Sequence, residues 1–358
     1  MKKVILLLFI PLVFNCSSDD TKSKKEKEEK RSIEAGIKIT LDISGNDLNN
    51  AENTVEIINN RIYNFLENYP TVETIENSKA IILKISKNRK KQELSGVDFT
   101  VSEIDRIKYL IETIGQLEFW HTLNGEDFWT FFIGVNDLFQ AKLSNNNKQD
   151  SKLSDIEQLL GSDEDSSQNQ SLLSLVSFGG NNPPVVLTTS PSNRKVILDY
   201  LNDEEVKSLL NRYTNEYPKF LWGKPKTNQS GEEYVELYVL KGNQEDEADL
   251  NGSVIVDASQ QFAVDGVTPT VSMQMNSNGA KKWEEMTEIA YNERSQIAIV
   301  LDSIVYSAPG VTSGPISGGQ SEISGQFTIT EAQDLANVLK AGKLPFSVKI
   351  VKVEKWNE

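Results

Sequence analysis

GIKITLDI, residues 36–43, alternates apolar and polar side chains, the pattern of a strand with one face buried. NTVEIINNRIYNFLENY, residues 53–69, then sets Ile58, Ile62, Phe65 and Tyr69 at spacings of three and four, one apolar stripe on a helix that Pro70 ends. VETIEN and AIILKIS read as two strands parted by Ser78 and Lys79. Residues 102–114 form a second amphipathic helix, with Ile107, Leu110, Ile111 and Ile114 on one side and Gly115 as its cap, and QLEFW follows as a strand. Strand, helix, strand, strand, helix, strand is the split βαβ order of a ferredoxin-like fold.

Outward towards the C-terminus the pattern first loosens. Residues 123–251 hold two polar runs, NNNKQDSKLSD and GSDEDSSQNQS, which make the segment near 143–170 low in complexity. Beside them stand SLLSLVSF, the strand-like PPVVLTT and EYVELYVLK, and a helix at 203–212 that opens on acids. Order then returns. SVIVDASQQF and PTVSMQM are expected strands, and residues 277–291 a helix burying Trp283, Met286 and Ala290. QIAIVLDSIVYSAP reads as a hairpin turning at Asp302 and Ser303. Gly318, Gly319 and Gly325 bound another short pair of strands, and Thr330 with Gln333 suggests a capping box for a helix closed by Gly342. The expected class is α+β, and a chain of 358 residues exceeds the roughly 250–300 that one core usually serves, so two subdomains are expected.

Towards the N-terminus, MKKVILLLFIPLVFNC has two lysines, an apolar run too short to span a bilayer, and the chain's one cysteine. This resembles a lipoprotein signal, with Cys16 lipidated and residues 1–16 its extent. A membrane contact through that lipid anchor is expected. Residues 17–31 lack any aromatic or aliphatic side chain, so the stretch 17–35 reads as a charged tether. Asp19 and Asp20 resemble a surface-export signal, which leaves a periplasm-facing and a surface-facing anchor both open.

Composition excludes several functions. A net charge of −15 opposes nucleic-acid binding. One histidine, His121, expected half-exposed at a strand end, cannot build a His-based metal site or a triad without a nucleophile motif beside it. The neighbouring acids Glu284 and Glu285 face apart on a helix, so they form no acid–base couple. No enzyme activity, cofactor or metal is expected.

GQLEFW, SMQMNSNGAKKWEEMT, QIAIVLDSIVYSAP, ISGQFTITEAQDLANVLKAGKLP and NTVEIINNRI, in this chain's collinear order, resemble the first large periplasmic domain of SecD, most closely in the fused SecDF proteins of Bacteroidota. Weaker similarity at YLNDEEVKSLL, FLWG and EEYVELYVLK extends the resemblance over about 36–353. It implies a ferredoxin-like base from residues 36–122 and 343–356, completed by LPFSVKIVKV as its return strand, and an inserted α+β head from 123–342. It also implies that the head engages unfolded or emerging exported polypeptide, or the SecDF/SecYEG translocase. The contact region would lie around residues 306–312 and 316–327, with Tyr306, Pro309, Val311, Thr312, Ile316 and Phe327 as its candidates. The family's Gly-rich motif after the first strand keeps one glycine here, Gly45, and the family's membrane helices, which carry its proton relay, are not expected in this chain. Two functions follow: an export accessory without its own motor, or an envelope scaffold that kept the fold and not the translocase role.

Overall fold

The computed structural model describes residues 35–43, 48–74, 80–86, 99–149, 171–179, 183–325 and 327–357. The expected signal at Cys16, the tether and Gly45 lie outside the described residues. The chain divides into two units, one holding residues up to Ile114 and from Ala341 onward, the other Gly115–Lys340. Both mix helices with antiparallel sheets.

In the first unit, β1 (Ala35–Asp42) leads to α1 (Leu48–Leu66), β2 (Thr71–Thr74), β3 (Ala80–Ser86) and α2 (Val101–Glu112), and β16 (Lys349–Asn357) returns at the end of the chain. The sheet order is β16-β1-β3-β2. Alternation works as read: Ile37, Ile39 and Leu41 of β1 and Ile81, Leu83 and Ile85 of β3 are buried beneath Ile58 and Ile62 of α1 and Ile107 and Ile111 of α2. α1 stops at Leu66 and Glu67 turns left-handed at φ 54°, so Tyr69 is not on the helix's buried stripe. It is exposed and stacks on Tyr63, ring centres 4.3 Å apart.

The fourth strand of this sheet is not the expected 116–120. LEFWH, the strand β4 (Leu117–His121), pairs in the second unit, and the boundary falls at 114/115 rather than after 122. The reason is its burial: Leu117, Phe119, Trp120 and His121 are nearly inaccessible, so this strand needs cover on both faces and a neighbour on each edge. β16 supplies the place beside β1, from Ala35↔Asn357 to Asp42↔Lys349, with Trp356 Nε1 donating to the Ile37 carbonyl at 3.2 Å. Nor does Gly115 cap α2 directly. The helix ends in an extended Thr113, and Gly115 turns two residues later at φ 80°.

Arg61 explains how that end is satisfied. Its guanidinium, fully buried in α1, donates to the carbonyls of Leu110, Thr113 and Ile114 and, at 2.7 Å, to that of Gly342. The last carbonyls of a helix lack intrahelical partners and carry its negative pole, which suits a cation.

Among the described residues of the second unit three sheets form. β4 lies between β10 (Leu250–Asn251) and β13 (Ile297–Leu301), with β14 (Ile304–Ser307) beyond. β11 (Ile255–Phe262), β12 (Pro269–Met275) and β15 (Gln320–Ile323) form the second, in that order. The third runs β5 (Val176–Phe178), β6 (Val185–Thr189), β9 (Glu233–Gly242), β7 (Tyr217–Trp222), with β8 (Lys226–Thr227) also on β9. α7 (Ser277–Glu293) and α8 (Ile329–Ala341) close the core under the first two sheets through Trp283, Met286, Ala290, Leu335 and Leu339. α3 (Trp129–Gln149), α4 (Leu172–Leu175), α5 (Arg194–Asn202) and α6 (Glu204–Tyr213) serve the third, over an aromatic group of Phe128, Phe131, Phe132 and Phe220.

α3 lies in the stretch read as irregular. Its N-terminal half is apolar and aromatic on several sides, with Phe131, Phe132 and Val135 buried, so no clean stripe marks it. Residues 150–170 of the polar segment lie outside the described residues. The hairpin turn forms where expected: Asp302 and Ser303 both take positive φ, 49° and 66°, as the right-handed twist of a two-residue hairpin demands. Two expectations fail. The glycines at 318, 319 and 325 bound one strand, β15, whose partner is β12. The capping box of α8 is Thr328 with Glu331, two residues earlier: Glu331 N–H donates to Thr328 Oγ1 at 3.1 Å and Thr328 N–H to the Glu331 carboxylate at 2.8 Å. Thr-x-x-Glu outcompetes Thr-x-x-Gln because the anion also suits the helix's positive end. Gly342 ends α8 at φ 91°, as expected.

Candidate functional site

The hairpin β13–β14 fixes one side of a groove of about 530 Å³ in the second unit. Its floor is apolar and buried: Trp283 from α7 and Ile297 and Ile299 from β13. One wall is the loop 309–314 and the other is Gln320, Ser321 and Glu322 of β15. Ser272 of β12, the residue paired with Glu322, also lines the cavity, so it reaches from β15 onto the neighbouring strand. β15 pairs with β12 alone, which leaves its other edge without a neighbouring strand among the described residues.

The loop is held at both ends. Ile297 N–H donates to the Pro309 carbonyl at 3.1 Å, and Ile316 N–H to Thr287 Oγ1 on α7 at 2.8 Å. Gly319, at φ 71°, then turns the chain into β15 so closely over α7 that a Cβ there would meet the Ala280 Cβ at 2.8 Å. Only a glycine fits both the angle and the approach.

Of the six residues expected to make contacts, Pro309, Val311, Thr312 and Ile316 line the groove together. Tyr306 and Phe327 do not. Their rings pack 6.2 Å apart against the core, and Lys224 Nζ sits over both, at 5.0 and 5.4 Å. The sequence reading missed the floor, and the β15 wall falls within its stretch 316–327 though none of the three wall residues was singled out. Trp283 was legible only as a core residue, which it also is: it meets Phe119 edge to face at 5.1 Å, while its buried Nε1 finds no acceptor.

The groove's lining is apolar and hydroxyl-bearing. Glu322 is the charged residue among its lining, and Glu284 and Glu285 are exposed on α7 outside it. Among the described residues no cluster of three or more metal-ligating side chains occurs.

His121 departs from expectation. It is 8% exposed, its Nδ1 lies 3.0 Å from the Asp249 carboxylate and its Nε2 3.1 Å from the Met286 carbonyl on α7. The same Asp249 oxygen accepts the His121 backbone N–H at 3.0 Å. Burial works against the charged ring, but the bond to Asp249 and its negative charge outweigh it and hold the pKa above the ordinary histidine value. Burial likewise acts to raise the Asp249 carboxyl, and the two bonds from His121 reverse this and hold it low. A strand-end histidine looked exposed because the strand's two-sided burial was not visible locally.

No helix among the described residues is long and apolar enough to cross a membrane. Residues 229–346 match the family model of the SecDF P1 head subdomain. Every residue lining the groove falls within that segment. The SecD translocase subunit of Calditerrivibrio nitroreducens is 45% identical over 114 residues, 32% of this chain and 21% of the relative. That of Rhodothermus marinus is 46% identical over 116 residues, 32% of this chain and 18% of the relative. The chain thus spans about a fifth of the length of these relatives. A solved structure of SecDF, described as a membrane component that enhances protein export, is similar over 88% of this chain and 98% of its own, with 22% identity and a TM-score of 0.45. Residues 229–346 are thus similar to the SecDF P1 head subdomain, and the periplasmic SecD likeness of this chain is carried by that segment.

Proposed function

We propose that this protein serves protein export in the cell envelope, by transiently holding an extended segment of an emerging polypeptide in the groove between the loop 309–314 and β15. One observation carries the reading: the groove joins an apolar floor to β15, whose outer edge has no strand beside it among the described residues. An extended peptide laid along β15 gains main-chain hydrogen bonds from that edge and places alternate side chains on Trp283, Ile297 and Ile299. Four residues of β15 span about 13 Å, which suits a segment of four or five residues of any apolar sequence. Glu322 favours a basic residue beside it. The anchor in this reading is a lipid on Cys16, and the translocase is the source of the chain.

The test is photo-crosslinking in living cells from a benzoyl-phenylalanine at Thr312, on the loop, against the same probe at the exposed Glu232 of the β8–β9 turn. Adducts with exported chains or with SecDF from position 312 and not from 232 are expected. Cys16→Ser should remove both the membrane association and the adducts. Equal labelling from the two positions, or none with the protein intact in the envelope, would reject the reading in favour of a scaffold.

A further inference from the structure

We infer that His121 is a proton-operated latch that ties β4 to the middle of α7 and, through α7, steadies the loop of the groove. The argument starts from what a ring can do. A neutral imidazole has one N–H donor and one acceptor nitrogen, whereas imidazolium has two donors. Both partners here are acceptors: a carboxylate oxygen of Asp249, just ahead of β10, and the carbonyl of Met286 on α7. Only the charged ring donates to both. On losing its proton it must turn one nitrogen lone pair towards an oxygen about 3 Å away, and one of the two ties is lost.

The surroundings favour the charged ring. Asp249 faces it from the segment before β10, the Met286 carbonyl from α7, and Glu293 adds negative charge from the C-terminal end of the same helix. Lys241, on β9, acts on Asp249 and helps keep it ionised. The side chain is too buried for water to replace a lost partner freely.

The latch reaches the groove by one turn of helix. Met286 stands beside Thr287, whose Oγ1 accepts the N–H of Ile316 on the loop, and three residues after Trp283 of the floor. Loosening the Met286 turn therefore acts on a wall and on the floor together. The chemistry holds whatever occupies the groove; only its use in export rests on the function proposed above.

His121 is the chain's one histidine, so the test is free of overlap. In full-length protein carrying a histidine-free tag and labelled with [¹³C,¹⁵N]histidine, a single ring signal reports the titration. Its midpoint is expected above the ordinary value of about 6.5, and Asp249→Asn should bring it down. The Ile316 amide shift should follow the wild-type midpoint. The sign for stability is fixed: a raised folded pKa contributes fully below the unfolded value and is lost as pH climbs through the folded one. Thermal midpoints should thus be higher at pH 6 than at pH 8, and His121→Gln should level them. A ring midpoint at or below about 6.5, an Asp249→Asn ring that titrates as the wild type does, or an Ile316 amide that ignores the ring would overturn the latch. Failed crosslinking from Thr312 would leave the ring midpoint untouched, so the two readings fail separately.

Discussion

A single buried cation organises the chain around residues 114 and 342. Arg61 donates to four carbonyls, three at or just past the end of α2 and the fourth at Gly342. In the sequence it was one polar residue in an otherwise apolar helix face, NNRIYNF, and nothing local separated it from a solvated arginine. Its role depends on residues about 50 and 281 positions away. Arg61→Met keeps the length and apolar stem and strands those carbonyls, each costly to leave unmade when buried. Chemical denaturation should show a loss of at least about 3 kcal/mol, and a variant within 0.5 kcal/mol of wild type would refute the role. His121 teaches the same lesson: residue chemistry was readable, but its partners at Asp249 and Met286 were not.

Elements were legible where one period dominated. β1, α2 and α7 each follow a clean spacing of 2 or 3.6, while β3 and the β13–β14 hairpin, buried more continuously, are marked by the residues that bound or turn them; all formed as read. Errors came where burial is two-sided or where two caps compete. β4 and α3 are wrapped on several faces, so periodicity placed the first in the wrong sheet and missed the second. At α8, two Thr-x-x pairs lie two residues apart, and only the carboxylate of Glu331 gains from the helix pole. Thr328→Ala should therefore cost about 1 kcal/mol by thermal or chemical denaturation, while Thr330→Ala, exposed in the first turn, should cost little. Equal effects would return the cap to Thr330.

At the scale of the molecule, two units were anticipated from length and composition, and their boundary was misplaced by the one strand that changed sheets. The family match covers 229–346 and so contains the whole groove, whereas the resemblance read from sequence ran from about 36 to 353. The contact stretches that the resemblance implied, 306–312 and 316–327, touch the loop and β15, but the groove's floor arises only when α7, β13 and β15 meet. What the account requires is that the β15 edge and this floor hold extended chain. The direct measurement is a fluorescence-anisotropy titration of the full-length protein against a short labelled peptide of alternating apolar residues with one lysine. Val311→Asp puts a charge on the groove wall, and Val264→Asp puts the same charge on the fully exposed tip of the β11–β12 hairpin as a control. Wild type and Val264→Asp should bind alike and Val311→Asp at least about tenfold more weakly, a difference of about 1.4 kcal/mol. A peptide that wild type does not bind, or that Val311→Asp binds as well as Val264→Asp does, would contradict it.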